Sequence, residues 1–565
     1  VVQVDDSAPK TASVIRENIA RSAISLSEQH THPVLPDSVT FHGRHLHFVG
    51  IGGCGMSGLA MMLRLRGAHV TGSDQSAGDM IERLDAAGID VRVGPAMQSL
   101  PQETDLVIAS AAIKPGHPEI LAAQAKGIEW ITYAEALGIA QSGMTAVSIA
   151  GTHGKSTTTA MTSWVGMRCG LDPSVIVGAT CTQLGGGTRT GSPVIASGRL
   201  LDNPGILVCE ACEFNRSFHQ HRPTIGLINN IEEDHLDYYS SLDEIIQSFK
   251  EFAERLPAAR VGGKLLIAED GAHRRQVSAG LKCEVATFGF SPESDFQVLY
   301  EAATNKVGLL WNGYWIADWT NLMPGSHNAL NAAAAAIINY WLGADWEDIA
   351  CALSEFGGLD RRSQLLGSRT LARGGGKAEG KAEGKAEGKA EGKAEGKAES
   401  KAESKAEGKA DARVQVYDDY AHHPTECEKT LRALRGAHNP KRLICVFQPH
   451  QHSRTRFLLE QFANSFSGAD EVVVPHIYFV RDSEAEKTRV SAQDLVDRLL
   501  ARGISACHIG SFDAITEYLE QHCQDGDLVV TMGAGPVNKI AQDFLARATA
   551  VNDRASLSVV SGQVA

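Results

Sequence analysis

The sequence predicts an α/β protein of three sheet-containing domains, and three observations carry that expectation. Two glycine-rich turns, one beginning near residue 50 and one at residue 151, each follow an apolar β-type stretch and precede a run that can continue as a helix. Strand-like and helical runs alternate around them, the pattern of βαβ units and parallel sheets. A low-complexity repeat interrupts the chain late, and further α/β signals follow it. At 565 residues the chain has the length of about three or four domains, each able to bury its own core.

In the first unit, His45-Leu46-His47-Phe48-Val49 reads as a strand, followed by Gly50-Ile51-Gly52-Gly53-Cys54-Gly55-Met56-Ser57-Gly58 and an apolar helix over residues 56–66. Ser73-Asp74 ends the next strand, and residues 107–111 read as a later one. A G-x-G-x-x-G turn between strand and helix offers backbone N–H groups to a diphosphate at a helix N-terminus. The pattern alone fits a dinucleotide or any nucleotide-linked substrate. Residues 138–143 mark a boundary.

The second unit opens on the strand-like residues 145–150 and then Gly151-Thr152-His153-Gly154-Lys155-Ser156-Thr157. Such a loop cradles phosphates: the glycines let backbone N–H groups approach, Lys155 adds a point charge, and Ser156 offers a hydroxyl to Mg²⁺. It departs from G-x-x-x-x-G-K-[ST], because Ile149 stands where that pattern has its first glycine. Strands over residues 206–209 and 225–228 put Glu210 and His235 at carboxyl ends, where open α/β sheets hold ligands. With Ser156 these two side chains make a candidate Mg²⁺ site, although Mg²⁺ prefers oxygen to imidazole and Glu213 is a competing ligand. Residues 328–341 read as a buried helix late in this unit.

Between residues 377 and 410 the unit Lys-Ala-Glu followed by Gly or Ser recurs eight times. A helix would stack like charges at i,i+4 and carry repeated glycines, so disorder is expected. The β-like stretches on either side, residues 363–372 and 413–417, make the repeat an expanded hairpin loop. The expected organisation is therefore a flexible leader (1–40), a first domain (41–142), a central domain (143–361), a C-terminal domain (362–551) with an insertion at 374–411, and a tail (552–565).

A net charge of -14 argues against a broad nucleic-acid surface while leaving small anionic substrates open. Eleven cysteines, an odd count in a long chain, suit reduced thiols and a cytosolic setting. The first 36 residues lack an apolar signal core, and no apolar run reaches membrane-spanning length.

Taken together the motifs resemble the Mur ligases, ATP-dependent amino-acid ligases of peptidoglycan precursor synthesis. The resemblance covers nearly all of residues 41–546 apart from the repeat. It rests on the first glycine turn, on G-T-H-G-K-S-T, on Asn230-Ile231-Glu232-Glu233-Asp234-His235-Leu236-Asp237, and on Ser326-His327-Asn328-Ala329-Leu330-Asn331-Ala332. Asp418-Asp419-Tyr420-Ala421-His422-His423-Pro424-Thr425, Phe447-Gln448-Pro449-His450 and Gly533-Ala534-Gly535 complete it. Their order resembles that of the branch whose members join L-alanine to UDP-N-acetylmuramate. The resemblance implies Rossmann-like first and last domains around a P-loop ATPase-type central domain, holding in turn the UDP-linked substrate, the amino acid and ATP.

It further implies residue roles. Gly151, Thr152, His153, Gly154, Lys155, Ser156, Thr157, His327, Asn328, Asn331, Arg362 and Asp419 would bind ATP. Ser156, Glu210 and His235 would hold Mg²⁺, and Lys155, Arg362 and His423 would serve the chemistry. Substrates would meet Gly50, Gly52, Gly53, Gly55, Met56, Ser57, Ser73, Asp74, His422, His423, His450, Arg454 and Arg456. Three departures stand out: Ser156 where the family usually has threonine, Cys212 and Phe214-Asn215 in a usually acidic run, and Gln451 in place of an arginine. Rival readings are a sister ligase that attaches a ready-made peptide, expected to differ in the first glycine turn, a nicotinamide-dependent dehydrogenase, and a nucleotide-binding switch.

Overall fold

A computed structural model of the chain describes residues 41–371 and 413–547, apart from 97, 98, 237 and 481. The expected leader, repeat and tail lie outside the described residues. The first sheet has five parallel strands in the order Asp90–Val93, His69–Asp74, His45–Val49, Leu106–Ala109, Glu129–Thr132. The order reverses between the third and fourth of these, so a crevice opens there at the carboxyl ends of the strands. Helix Cys54–Leu65 follows the glycine turn and buries Met56, Leu59, Ala60, Met62 and Leu63 on the sheet. Its other side meets the central domain so closely that a Cβ on Gly58 would lie 2.2 Å from Thr188 Cγ2. The next domain contact comes from helix Tyr133–Gln141, started by a capping box of Thr132 and Glu135.

The central sheet has ten strands. Its middle is parallel: Glu284–Gly289, Lys264–Ala268, Ile225–Ile228, Thr145–Ala150, Ile206–Glu210 and Ser174–Cys181. The parallel sheet expected from sequence is thus present, and both of its margins turn antiparallel. The cause is local. Lys306–Trp311 returns as Tyr314–Thr320 through Asn312-Gly313, both at positive φ (47° and 82°), an Asn-Gly turn that forces a hairpin. Helices Lys155–Arg168 and Ser326–Trp341 pack together under the sheet, with Ala332 through Ala336 wholly buried between them. Small side chains let the helix axes approach, which carries Asn328 and Asn331 to the phosphate loop.

The third sheet has six strands, ordered Gln364–Thr370, Arg413–Asp419, Asp527–Met532, Arg442–Phe447, Glu471–Val474, Ser505–His508. All pairs are parallel except the first, an antiparallel hairpin in which Thr370 faces Arg413. The hairpin expected from sequence is present at the flanks of the repeat. Because that register closes the ends without the repeat, deleting residues 377–410 and bridging with a short Gly/Ser turn should leave the activity implied by the resemblance near wild type. Shortening a loop costs little, since closure entropy changes by about 0.6 kcal/mol per doubling. Steady-state kinetics on a deletion variant that still melts cooperatively checks this, and a large fall in kcat would assign the repeat a working role. All eleven cysteines are free. Among the described residues no helix is long and apolar enough to cross a membrane.

Candidate active site

Strand Thr145–Ala150 is buried along its whole length and ends in the phosphate loop. Gly151 (φ 140°) and Gly154 (φ 80°) take backbone conformations closed to most side chains, and a Cβ on Gly154 would lie 2.6 Å from Asn331 Oδ1. Glycine is required there by conformation and by space. Gly154 caps helix Lys155–Arg168 without a side-chain bond, so the first N–H groups face the adjoining cavities. Lys155 Nζ donates to the carbonyls of Gly151 and Thr152 and to Glu213 Oε1 at 3.0 Å, with Glu213 Oε2 at 2.9 Å. Burial opposes the charge on Lys155, but the facing Glu213 outweighs it and the ammonium is held more firmly than usual.

Beside this pair, ligand atoms of Glu213, Asp234 and His235 lie within 4.8 Å of one another. Asp234 also accepts a 2.7 Å hydrogen bond from Arg454 Nη2, which reaches across from the C-terminal domain. Burial alone would raise Asp234, yet Arg454 and the neighbouring histidines hold its carboxyl far below the usual range. Glu210, the carboxylate expected from sequence, sits differently: its Oε1 accepts the Gly178 N–H at 2.6 Å while the side chain faces the same cavity as Lys155 and Ser156. The donor set suits a hard dication, being rich in carboxylate oxygen with one hydroxyl nearby, and the buried Glu213 Oε2 has no aligned hydrogen-bond donor.

Two cavities meet at this loop. One, of about 720 Å³ counted with its open mouth, is lined by Thr157, Asn229, His327, Asn331, Asp419 and Lys429 among others. The second, of about 1480 Å³ with its open mouth, runs from Gly52 of the first domain past Lys155, Ser156 and Glu210 to His422. Gly154, Arg362 and Glu426 line both. Arg362 stacks over Tyr420 at 5.1 Å and lies 4.0 Å from Glu426. Asp419 accepts the Ser363 and Ala421 N–H groups at 2.7 Å each, although burial raises its pKa.

Histidines crowd the junction in different charge states. Burial pulls His153 down, but Glu232 and Glu426 on either side outweigh it and hold it up at about 9. Burial carries His422 down to about 3 and His327 to about 4, so both are neutral at physiological pH. His423 donates from Nε2 to Glu233 O at 3.0 Å and accepts the Thr425 N–H on Nδ1 at 3.3 Å. Both ring nitrogens are engaged, which holds the ring in one orientation.

In the first domain, Gly50 and Ile51 N–H groups bond Ser73 O, and Asp74 Oδ2 accepts the Gly52 N–H at 2.8 Å. A Cβ on Gly55 would lie 2.7 Å from Tyr133 Oη. The glycine turn is thus built as expected, but three of its expected contacts point elsewhere. Met56 is core, Ser57 bonds Cys54 O, and Ser73 bonds the buried Glu119 at 2.7 Å. Arg456 pairs with Glu486 and lines neither cavity. His450 lies 6.0 Å, ring to ring, from His422. Sequence reading gave no site role to Asn229, Asn230 or Tyr420, although they lie in or beside the quoted motifs, and missed Glu426 and Lys429. Glu426, in the first turn of helix Pro424–His438, carried a usable signal, lying four residues after His422.

Comparison with known proteins adds three family models that match in chain order. "Mur ligase family, catalytic domain" covers residues 45–143, "Mur ligase middle domain" 149–339, and "Mur ligase, glutamate ligase domain" 406–535. The UDP-N-acetylmuramate–L-alanine ligase of Lachnospira eligens is 36% identical over 508 residues, 89% of this chain and 98% of that one. Its counterpart from Caldanaerobacter subterraneus is 35% identical over 507 residues, 89% and 97%. Among solved structures, a UDP-N-acetylmuramate–alanine ligase from Thermotoga maritima superposes with TM-score 0.65 at 23% identity, covering 90% of this chain and 99% of that one. A murein peptide ligase from Psychrobacter arcticus gives 0.61 at 24% identity, covering 90% and 99%, so the fold itself does not separate the two activities.

Proposed function

The chain belongs to the Mur ligase family, and on that premise we propose that it joins L-alanine to the lactyl carboxylate of UDP-N-acetylmuramate at the expense of ATP, in peptidoglycan precursor synthesis. The observation that carries this reading is the meeting of two cavities at one phosphate loop, with Gly154, Arg362 and Glu426 common to both. ATP in the smaller cavity presents its γ-phosphate to an acyl substrate reaching in from the first domain's glycine turn. The named relatives favour alanine over a peptide as the second substrate.

The carboxylate oxygen attacks the γ-phosphorus, the bond to the bridging oxygen breaks, and ADP leaves an acyl phosphate behind. The neutral amine of alanine then attacks the acyl carbon, phosphate departs, and the new amide sheds one proton. Lys155 exchanges its contact with Glu213 for phosphoryl oxygens, and Arg362 meets the same charge from the domain junction. Their action is electrostatic and positional, because charge grows on those oxygens and neither side chain forms a bond. The backbone N–H groups at the start of helix Lys155–Arg168 orient the phosphates. Neutral His327 and the Asn328–Asn331 pair face the nucleoside end, and Arg454 stands by the alanine carboxylate. We assign Mg²⁺ to Ser156 and His235 with Glu210 and Glu213 as carboxylates; when bound it neutralises phosphate charge.

Glu210→Gln and Glu213→Gln should each shift the Mg²⁺ requirement to higher concentration, because each keeps its shape and loses a charge. Titrating activity against Mg²⁺ checks this; an unchanged curve in Glu210→Gln beside a shifted one in Glu213→Gln would make Glu213 the sole carboxylate. The function itself is tested by phosphate release with ATP, with and without UDP-N-acetylmuramate, and with alanine, serine or glycine. Release that needs the sugar nucleotide and prefers alanine is expected. Release independent of both substrates, or an NAD-linked absorbance change instead, would overturn the reading.

A further inference from the structure

A second cluster of ligating side chains lies outside the proposed Mg²⁺ site. His153 of the phosphate loop, Glu232 of the central domain and His423 of the C-terminal domain bring one ligand atom each within 4.8 Å of the others. Both imidazoles are buried, with ring centroids 4.5 Å apart. His153 Nε2 is buried without a hydrogen-bond partner and lies 3.4 Å from Glu232 Oε2. That is close to the separation of about 3.3 Å between two ligands of a tetrahedral zinc ion.

The surroundings match those of a metal site as well. Metal-binding histidines donate their second N–H to a carboxylate or a backbone carbonyl, which fixes the ring and its tautomer. Here His153 Nδ1 faces Glu426 Oε1 at 3.1 Å, and His423 Nε2 donates to Glu233 O at 3.0 Å. His153 is thereby left with Nε2 for the cluster. On His423 the second nitrogen, Nδ1, accepts the Thr425 N–H at 3.3 Å. A dication would take the place of the proton between His153 and Glu232.

We propose that His153, Glu232 and His423 form a binding site for a zinc-class transition-metal ion at the junction of the central and C-terminal domains. Two imidazoles and one carboxylate suit Zn²⁺ or Co²⁺ and disfavour Mg²⁺, which takes oxygen ligands. Three protein ligands leave a fourth position open to water or to a phosphate oxygen. Because the ligands come from both domains, an ion here ties the phosphate loop to the C-terminal domain and stabilises their closed arrangement. The inference stands on the cluster alone and does not require the proposed substrates.

The test is titration of the full-length, metal-stripped chain with Zn²⁺ in millimolar Mg²⁺, read by calorimetry and melting temperature, with Co²⁺ as a spectroscopic probe. One ion per chain is expected, with a raised melting temperature and a visible Co²⁺ band of tetrahedral intensity lacking thiolate charge transfer. Glu232→Gln and His423→Gln should each weaken binding at least about 10-fold. His235→Gln, in the neighbouring cluster, should bind as wild type. Absence of saturable binding overturns the proposal. So does loss of binding in His235→Gln with wild-type affinity in both other variants, which would move the ion to the Glu213 cluster.

Discussion

Lys155→Ala is expected to abolish measurable ligation, a loss of at least about 10²-fold in kcat, since it removes the charge aimed at developing phosphoryl oxygens. The same change breaks a pair whose side chains are only 15% and 3% exposed. A buried charge left without its partner costs about 3–5 kcal/mol, so the variant should also melt lower. Adding Glu213→Gln removes the orphaned charge and should return much of the stability without returning activity. Thermal unfolding and turnover, measured on both variants below their melting temperatures, separate the two effects. Near-normal turnover in folded Lys155→Ala would take the phosphate loop out of the chemistry.

Arg454→Ala should be almost as damaging, for a reason that lies between domains. Arg454 and Asp234 are 8% and 9% exposed and belong to the C-terminal and central domains. Removing the arginine strands a buried carboxylate, at about 3–5 kcal/mol, and loosens the seat of the C-terminal domain beside the proposed alanine site. A fall in kcat/KM for alanine of about 10²-fold or more is expected, the scale on which misplaced reactants lose their advantage. Acid sets the sign of a second test. The depressed carboxyl of Asp234 stabilises the wild type fully above its unfolded value of about 3.9, and that share fades as pH falls below it. The wild-type advantage over Arg454→Ala should therefore shrink on acidification. A gap in melting temperature that stays constant down to the acid limit would remove this pair from the stability account.

The parts legible in the sequence are those whose function depends on local backbone. The turn at Gly50–Gly58 and the loop at Gly151–Thr157 announce themselves because glycine, lysine and a hydroxyl must follow a strand and open a helix. The helix expected at residues 328–341 is observed as Ser326–Trp341, its buried alanines giving it away. Met56 shows the limit of motif reading, since it lies in the motif but helical periodicity puts it on the core side. Glu426 shows a different limit: its spacing from His422 was readable, but its partner His153 is 273 residues away, and only domain packing joins them. The antiparallel margin of the central sheet was legible in Asn312-Gly313, a signal that the alternation of strand and helix obscured.

The most direct test of the central claim follows oxygen. UDP-N-acetylmuramate labelled with oxygen-18 in the lactyl carboxylate is turned over with ATP and alanine, and the phosphate and peptide products are weighed by mass spectrometry. Attack of that carboxylate on the γ-phosphorus predicts one labelled oxygen in each phosphate released, with the UDP-linked alanyl product retaining the other. Unlabelled phosphate formed alongside the alanyl product, or phosphate formed with no alanyl product at all, would contradict it.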